Sequence, residues 1–383
     1  MSVTAPAGFR AAGVAAGIKA SGHPDVAVVV NDGPSAAAAG VFTSNRVKAA
    51  PVRWSQQVLA GGQVRAVALN SGGANACTGP AGFADTRQTA ELLANLLSAQ
   101  AGRIAVCSTG LIGERLPMDR LLAGVGAATA AATASGGPVA AGAIMTTDTV
   151  PKTCAVQGGG YTIGGMAKGA AMLAPALATM LVVLTTDADL PASDLDKALR
   201  GSVRTTFDRL DSDGCMSTND TVLLLASGAS GVRPDPAEFT DLLAAACGDL
   251  ARQLQLDAEG ATKAIAIDVT GAASEDEAVA VGRAIARCNL FKCAITGEDP
   301  NWGRVLAAAG TTSAVFEPDE VSVAINGIWV CRNGAPGDDR SGVDLRPKDV
   351  TVTVELSAGQ AAATVLTTDL TAAYVHENSA YST

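Results

Sequence analysis

A single hydroxyl group interrupts the most apolar run of this chain. Between residues 170 and 184 every side chain is apolar except that of Thr179. A hydroxyl buried without a partner costs about 1–3 kcal/mol, so Thr179 must either hydrogen-bond to its surroundings or serve a chemical purpose. Pro175 breaks any helix through this run, and the residues from Met180 onward are typical of a buried strand. Thr179 is therefore predicted at the start of a central strand.

The chain contains two histidines, His23 and His376, and this scarcity limits the available chemistry. Zinc sites built from several histidines are excluded, and a Ser–His–Asp triad would need one of these two residues. His23 lies in a predicted turn, and His376 lies in the C-terminal tail. If the protein is an enzyme, its general base is therefore expected to be a carboxylate, a lysine or an α-amine.

Two further segments follow predicted strands and offer polar groups. Residues 69–79 are dense in glycine and asparagine, which suits either a tight structural turn or backbone contact with a ligand. The hydroxyl of Thr109 and the N–H of Gly110 are the kind of donor pair that can stabilise an oxyanion. Residues 217–220 are predicted to bond to their own backbone as turns or caps.

The composition excludes several classes of function. With 383 residues, 48% hydrophobic and 17% charged, the chain is predicted to be globular with a large core. Its net charge of −10, without a marked basic cluster, argues against a nucleic-acid partner. No membrane span and no secretory signal are predicted, and eight scattered cysteines suit reduced thiols, so we expect a cytoplasmic protein. No metal or cofactor is expected.

The alternation of helical and strand patterns predicts an α/β fold in which helices are layered on sheets. Strands are predicted at 26–30, 39–42, 64–69, 104–107, 181–184, 221–225 and 264–269. Helices are predicted at 85–99, 120–133, 193–207, 236–255 and 275–289. Beyond residue 290 the chain becomes strand-rich, with strands at 321–325, 328–331, 350–356 and 362–366. We therefore expect a nucleophile-bearing α/β domain, residues 1–285, and a smaller α+β domain, residues 286–383.

Ordered motifs along nearly the whole chain carry a family resemblance. The most specific is the Lys-Gly pair at 168–169, followed by Ala-Thr-Met-Leu at 178–181. Further matching segments are residues 8–14, 75–79, 108–113, 144–149, 213–221, 297–304 and 378–383. Together they resemble the ornithine acetyltransferase family, also called ArgJ. The resemblance implies a layered fold similar to that of the DmpA aminopeptidases.

The resemblance also implies that the precursor cleaves itself between Ala178 and Thr179. An α chain of residues 1–178 and a β chain that begins at Thr179 would then assemble as α2β2. Cleavage gives Thr179 a free α-amine with an ordinary pKa of about 7.7–8.0, which can serve as the base for its own hydroxyl. The implied reaction is that of a glutamate N-acetyltransferase in the cyclic pathway of arginine biosynthesis. Acetyl passes from N2-acetylornithine to Thr179 and then to glutamate, without cofactor or metal.

The family resemblance also implies roles for individual residues of the site. Thr109 and Gly110 would form the oxyanion hole. Lys168 and Thr146 would hold the substrate, with Thr147 as a close competitor of Thr146. From its residue type alone, however, Lys168 could equally be a surface charge.

Three residues nearer the C-terminus complete the implied site. Glu259 would contact the amino end of the substrate, although its residue type also suits a helix end. Asn378 and Thr383 would close the pocket. Three alternatives stay open: a bifunctional enzyme that also takes acetyl from acetyl-CoA, a relative from secondary metabolism with different acceptors, and an uncleaved, non-catalytic paralogue.

Overall fold

The computed structural model of the chain describes residues 2–172 and 180–380. In chain order its strands are β1 (Phe9–Val14), β2 (Val26–Asn31), β3 (Ala38–Phe42), β4 (Ala66–Ser71), β5 (Ile104–Thr109), β6 (Lys152–Gln157), β7 (Thr162–Lys168), β8 (Leu181–Thr186), β9 (Thr221–Ala226), β10 (Ala264–Ala272), β11 (Ser322–Ile325), β12 (Ile328–Arg332), β13 (Ala335–Pro336), β14 (Asp349–Glu355) and β15 (Ala361–Thr368). Its helices are α1 (Ala50–Leu59), α2 (Gly79–Leu96), α3 (Met118–Ala131), α4 (Gly137–Ala143), α5 (Ala192–Thr205), α6 (Pro236–Leu256), α7 (Glu275–Ala286), α8 (Asn289–Thr296), α9 (Trp302–Ala309) and α10 (Ala372–Ala380).

Two sheets pack face to face to form the centre of the fold. The first has the order β1-β2-β4-β5, and the second has the order β3-β9-β8-β7-β6. Apolar side chains from both facing surfaces, such as Leu69 and Cys107 from the first sheet and Val183 and Leu223 from the second, form one buried cluster. Strands of this kind, apolar on both faces, need cover on both sides, and that requirement determines the layers outside them.

Helices cover the outer faces of both sheets. Helices α2 and α3 bury Leu93 and Val125 against the first sheet. Helices α5 and α6 bury Leu199 and Leu250 against the second sheet. The result is a four-layer arrangement of helix, sheet, sheet and helix, which confirms the predicted layered α/β fold.

The third sheet has the order β13-β12-β11-β14-β10-β15 and carries its own apolar cluster with α7, α8 and α9. Strand β10 is central to it, pairing in parallel with β14 and antiparallel with β15. The domain boundary between residues 285 and 286 stays a prediction. Strand β10, which precedes that boundary, shares the sheet of the C-terminal strands.

Strand ends from the two central sheets meet where the chemistry-bearing residues lie. Strands β4 and β5 are parallel, so their carboxyl ends, Ser71 and Thr109, lie side by side in register. In the second sheet Lys168 at the end of β7 is in register with Leu181 at the start of β8. The register therefore brings Lys168 beside the strand that Thr179 precedes by two positions in the sequence.

Strand β8 confirms the predicted buried strand, because all six of its residues are buried. The hairpin of β6 and β7 was not predicted, since glycines interrupt the β-branched pattern there. A Cβ at Gly164 would lie 2.3 Å from the carbonyl oxygen of Ser2, so this strand needs glycine for close backbone packing. No helix of the described residues combines the length and apolarity that crossing a membrane requires.

Candidate active site

One pocket gathers every predicted site residue that the structure describes. Its lining includes Thr109, Gly110, Thr146, Thr147, Lys168, Glu259 and Asn378. These residues are separated by up to 269 positions in sequence, and the ends of β5 and β7, the residues after α6 and helix α10 bring them together. The predicted residues Ala178, Thr179 and Thr383 lie outside the described residues.

Met172 and Met180, the described residues on either side of the segment 173–179, are each held by a hydrogen bond to an aspartate. Met172 lines the pocket, and its N–H donates to Asp213 Oδ2 at 2.7 Å. Met180 is buried, and its N–H donates to Asp220 Oδ1 at 3.0 Å. The carbonyl of Met180 accepts from the N–H of Thr221 at 3.1 Å, which joins it to the start of β9.

The Lys168 side chain is buried at the centre of the pocket wall and not on the surface, with 1% of its area exposed. Its Nζ donates to Thr109 Oγ1 at 3.1 Å and to Thr146 Oγ1 at 2.8 Å. Burial lowers the pKa of Lys168, and the nearby Asp148 carboxylate acts in the opposite direction. Because Nζ donates to the hydroxyl oxygen of Thr109, the hydroxyl proton of Thr109 is free to be donated to another acceptor.

A buried network of ion pairs among Asp148, Lys152 and Asp257 lies next to Lys168. Asp148 Oδ1 accepts from Lys152 Nζ at 2.6 Å and from the Gly169 N–H at 2.6 Å. Lys152 Nζ also donates to Asp257 Oδ2 at 2.5 Å. Burial alone would raise the pKa of Asp148, but the charges of Lys168 and Lys152 and the Gly169 N–H outweigh it and lower the pKa to about 2. The Asp148 carboxylate, charged at neutral pH, thus fixes the backbone that leads out of β7.

The Thr109–Gly110 pair lies against the glycine- and asparagine-rich loop after β4. Gly110 has a φ of +124°, and a Cβ there would lie 2.5 Å from the backbone nitrogen of Gly73. Position 110 therefore requires glycine for both its backbone conformation and its close approach to the neighbouring loop. Ala74 of this loop lines the pocket and Gly73 packs against Gly110, so its packing role is observed, while contact with a ligand stays a prediction.

Asn219 joins three segments of the pocket wall, a role that sequence reasoning missed. Its Nδ2 donates to the carbonyl of Ala74 at 2.6 Å and to the carbonyl of Ser108 at 2.8 Å. The prediction that residues 217–220 bond to their own backbone was wrong for Asn219 and for Asp220, which accepts from Met180. Nothing local in the sequence could reveal these partners, because they lie more than 100 positions away for Asn219.

Asp220 is fully buried beside the start of β8. Burial raises its pKa well above the ordinary value, and hydrogen bonds from the Met180 N–H, Ser217 and Thr43, together with the charge of Lys168, compensate in part. The Asp220 carboxyl group thus holds the Met180 N–H in an environment that disfavours its charged form.

Glu259 and Asn378 meet at the open side of the pocket. Asn378 Nδ2 donates to Glu259 Oε2 at 2.9 Å, and the Glu259 N–H donates to the carbonyl of Ala170 at 2.9 Å. Gly260 adopts a φ of +60°, and a Cβ there would lie 2.2 Å from the nitrogen of Tyr374. Helix α10 therefore docks directly on the segment that carries Glu259, and this contact brings Asn378 to the pocket.

The described lining supplies three kinds of chemical group: a hydroxyl and an N–H donor at 109–110, a buried basic group at 168 and a carboxylate at 259. Within residues 2–172 and 180–380 no cluster of three or more metal-ligating side chains occurs. Such a lining suits a small substrate that has a carbonyl to be polarised and an ammonium group to be paired with a carboxylate.

Comparison with known proteins gives a consistent result over the full length. The model of the ArgJ family matches residues 10–383. The chain is 72% identical over 383 residues to the arginine biosynthesis bifunctional protein ArgJ of Thermobifida fusca, with 100% of both chains covered. It is 66% identical over 382 residues to the protein of the same name from Streptomyces avermitilis, again with 100% of both covered.

Solved structures match smaller parts of the chain. Ornithine acetyltransferase from Mycobacterium tuberculosis, complexed with ornithine, is 63% identical, and the match covers 47% of this chain and 96% of that chain with a TM-score of 0.45. The bifunctional protein ArgJ of Bacillus halodurans is 35% identical, and the match covers 51% of this chain and 97% of that chain with a TM-score of 0.48.

Proposed function

This chain belongs to the ArgJ family, and on that premise we propose that it is a glutamate N-acetyltransferase of arginine biosynthesis. Acetyl passes from N2-acetylornithine to the hydroxyl of Thr179 and from there to the amino group of glutamate. The observation that carries the proposal is the convergence of Thr109, Gly110, Lys168 and Glu259 on one pocket, which Met172 also lines. The reaction needs these types of group, and it needs neither histidine nor metal.

The first half-reaction is the attack of Thr179 on the acetyl carbonyl of N2-acetylornithine. The free α-amine of Thr179, produced by cleavage after Ala178, takes the hydroxyl proton. The carbonyl oxygen becomes an oxyanion, which accepts from the Gly110 N–H and from the Thr109 hydroxyl. The C–N bond to ornithine then breaks, and the proton held by the α-amine passes to the departing nitrogen. Ornithine leaves, and the acetyl group stays on Thr179 as an ester.

The second half-reaction reverses these steps with glutamate as the acceptor. The amine of glutamate attacks the ester carbonyl, the same donors hold the oxyanion, and the hydroxyl of Thr179 is restored. Because both amino acids use one pocket in turn, the kinetics are ping-pong. The Glu259 carboxylate, already bound to Asn378, is available to pair with a substrate ammonium group.

Lys168 orients the hydroxyl of Thr109, one of the two oxyanion donors, and that of Thr146, which contacts the substrate. Its contacts with the Thr109 and Thr146 hydroxyls orient both oxygens. With Nζ donating to Thr109, the Thr109 proton is directed to the oxyanion. Thr146 takes part in substrate binding through the same buried amine, whereas Thr147 has no such contact with Lys168 among the hydrogen bonds of the described residues.

The proposal also covers how the chains assemble, where the protein is located and which acetyl donors it uses. We infer two chains from one precursor, residues 1–178 and 179–383, assembled as α2β2 in the cytoplasm. Use of acetyl-CoA as a second donor is the favoured additional activity, because the relatives that are 72% and 66% identical are bifunctional proteins by name.

A single-turnover assay tests the proposal. Purified enzyme is incubated with N2-acetylornithine in the absence of glutamate, and the products are analysed by mass spectrometry. We expect one equivalent of ornithine and an acetyl group on the peptide that begins with Thr179. Added glutamate should discharge this group as N-acetylglutamate. Failure of both N2-acetylornithine and acetyl-CoA to acetylate the enzyme would contradict the assignment and favour a non-catalytic paralogue.

A further inference from the structure

A second cavity lies behind the pocket wall and is lined by basic side chains. It encloses about 430 Å³ between residues 46–53 and residues 77–79, and we call it the basic groove. Its charged lining residues are Arg46, Lys48 and Arg53, and no acidic residue takes part. A volume of this size is in the range of small-molecule sites.

The three basic side chains of the groove have no carboxylate partner in the part of the chain that the structure describes. None of them forms an ion pair with a carboxylate of residues 2–172 or 180–380, although 15 ion pairs occur elsewhere in that part of the chain. The guanidinium group of Arg53 lies 5.4 Å from the ring centre of Phe83, which fixes it without removing its charge. In a chain with a net charge of −10, three clustered and unpaired cations form a local site of opposite sign.

The groove and the candidate pocket share a wall. Ala74 lines the pocket, and Cys77, three residues later, lines the groove. Two backbone hydrogen bonds join the groove segment 46–53 to segments beside the pocket. The Ala49 N–H donates to the Thr218 carbonyl at 3.0 Å, and the Ala50 N–H donates to the Asn75 carbonyl at 3.1 Å. Thr218 itself lines the pocket. The groove is therefore adjacent to the pocket, on the other side of the backbone segment 74–77.

We propose that the basic groove binds the phosphate groups of an acyl-CoA donor while its thioester lies in the pocket, an inference that rests on the proposed function. Arginine and lysine side chains bind phosphate through charge-assisted hydrogen bonds, and arginine does so with two parallel N–H donors. N2-acetylornithine and glutamate carry no phosphate, so neither substrate of the proposed reaction accounts for the groove. A CoA thioester joins a transferable acetyl group to phosphates through a long arm.

The group transfer from such a donor balances without a further reactant. A bond forms between Thr179 Oγ and the acetyl carbon, and the bond between that carbon and the CoA sulfur breaks. The proton of the Thr179 hydroxyl passes through its α-amine to the sulfur, and CoA leaves as the free thiol. Glutamate then takes the acetyl group as in the proposed reaction.

Charge reversal in the groove tests the inference by titration calorimetry. Three ligands are titrated into the purified enzyme: CoA, adenosine 3′,5′-bisphosphate and inorganic phosphate. We expect wild-type enzyme to bind CoA, and R46E/K48E to bind it at least about tenfold more weakly, since bonds between charged groups are the strong class. Lys197→Glu, an exposed lysine on α5 outside the groove, is the matched control and should leave CoA binding unchanged. Equal CoA affinity in wild type and R46E/K48E, or no CoA binding by wild type, would overturn the inference.

Steady-state kinetics with each donor and competition by phosphate distinguish a failure of the groove inference from a failure of the proposed function. The KM for acetyl-CoA should rise in R46E/K48E, and the KM for N2-acetylornithine should not rise with it. If R46E/K48E does not fold, R46Q and K48Q are tested singly for the same split between donors. Inorganic phosphate that displaces CoA as well as the bisphosphate does would show a general anion site and contradict the assignment to CoA. CoA binding without any acetylornithine-dependent transfer would instead contradict the proposed function and leave the groove intact.

Discussion

The N–H of Met180 donates a 3.0 Å hydrogen bond to Oδ1 of Asp220, a carboxyl group with no exposed surface. Met180 follows the proposed nucleophile directly, so Asp220 fixes the backbone on the carboxyl side of Thr179. A hydrogen bond of this kind constrains the peptide without taking part in bond making. We therefore expect Asp220 to act as a positioning residue for the proposed nucleophile.

Asp220→Asn should fold and retain most of the self-cleavage and transfer activity. Asparagine keeps a carbonyl oxygen for the Met180 N–H and has the shape of a neutral carboxyl group. Asp220→Ala leaves that buried N–H without its partner, which should cost about 1–3 kcal/mol of stability and slow cleavage. Urea unfolding and the rate of precursor disappearance measure both effects. Equal losses in the two variants would contradict the positioning role.

The raised pKa of Asp220 predicts a particular dependence of stability on pH. A group whose folded pKa is raised stabilises the fold fully below its unfolded pKa, near 3.8, and loses that contribution as pH rises through the folded value. Wild-type protein should therefore lose stability relative to Asp220→Asn as pH rises from about 4. Thermal unfolding of both proteins over a pH series checks this difference. Parallel pH profiles of the two proteins would contradict the prediction.

Thr109→Ala should lower kcat by about a hundred- to a thousandfold, the usual effect of removing an oxyanion donor. The matched control is Thr109→Ser, which keeps the hydroxyl that contacts Lys168 and should lose far less activity. Activity is expressed per processed molecule, so that a defect in cleavage is not counted as a defect in transfer. A Thr109→Ala enzyme with a kcat close to that of wild type would refute the oxyanion role.

Glu259→Gln should raise KM for the amino-acid substrates by about ten- to a hundredfold, because hydrogen bonds to charged groups contribute about 1.5–3 kcal/mol. Glutamine keeps an acceptor for Asn378, so the docking of α10 and self-cleavage should persist. Steady-state kinetics with both substrates and the fraction of cleaved chain give the two readouts. An unchanged KM would exclude contact between Glu259 and the substrate.

The layers of the fold were predictable from sequence because they follow from local patterns. Strand β8 is a continuous buried run, and helix α6 has a clear apolar periodicity, so both were predicted nearly to their ends. The β6–β7 hairpin was not, because small residues such as Gly164 replace the β-branched pattern where backbones pack closely. Local propensity carries no information about such tertiary requirements.

The candidate site was predictable through motifs and not through its contacts. Lys168 carries no local sign that it would be buried between Thr109 and Thr146, because those partners come from other strands and loops. Asn219 and Asp220 were interpreted as turn residues for the same reason. Arg46, Lys48 and Arg53 lie within eight positions of the sequence, but only the fold shows that they line one cavity with residues 77–79.

The intact mass of the denatured protein shows whether Thr179 processes its own chain. Self-processing by Thr179 predicts two polypeptides that meet at Ala178 and Thr179 in the wild-type protein. It predicts a single uncut and inactive chain for Thr179→Ala. A wild-type protein that transfers acetyl groups as one uncut chain, or a Thr179→Ala variant that is cleaved and active, would contradict the account.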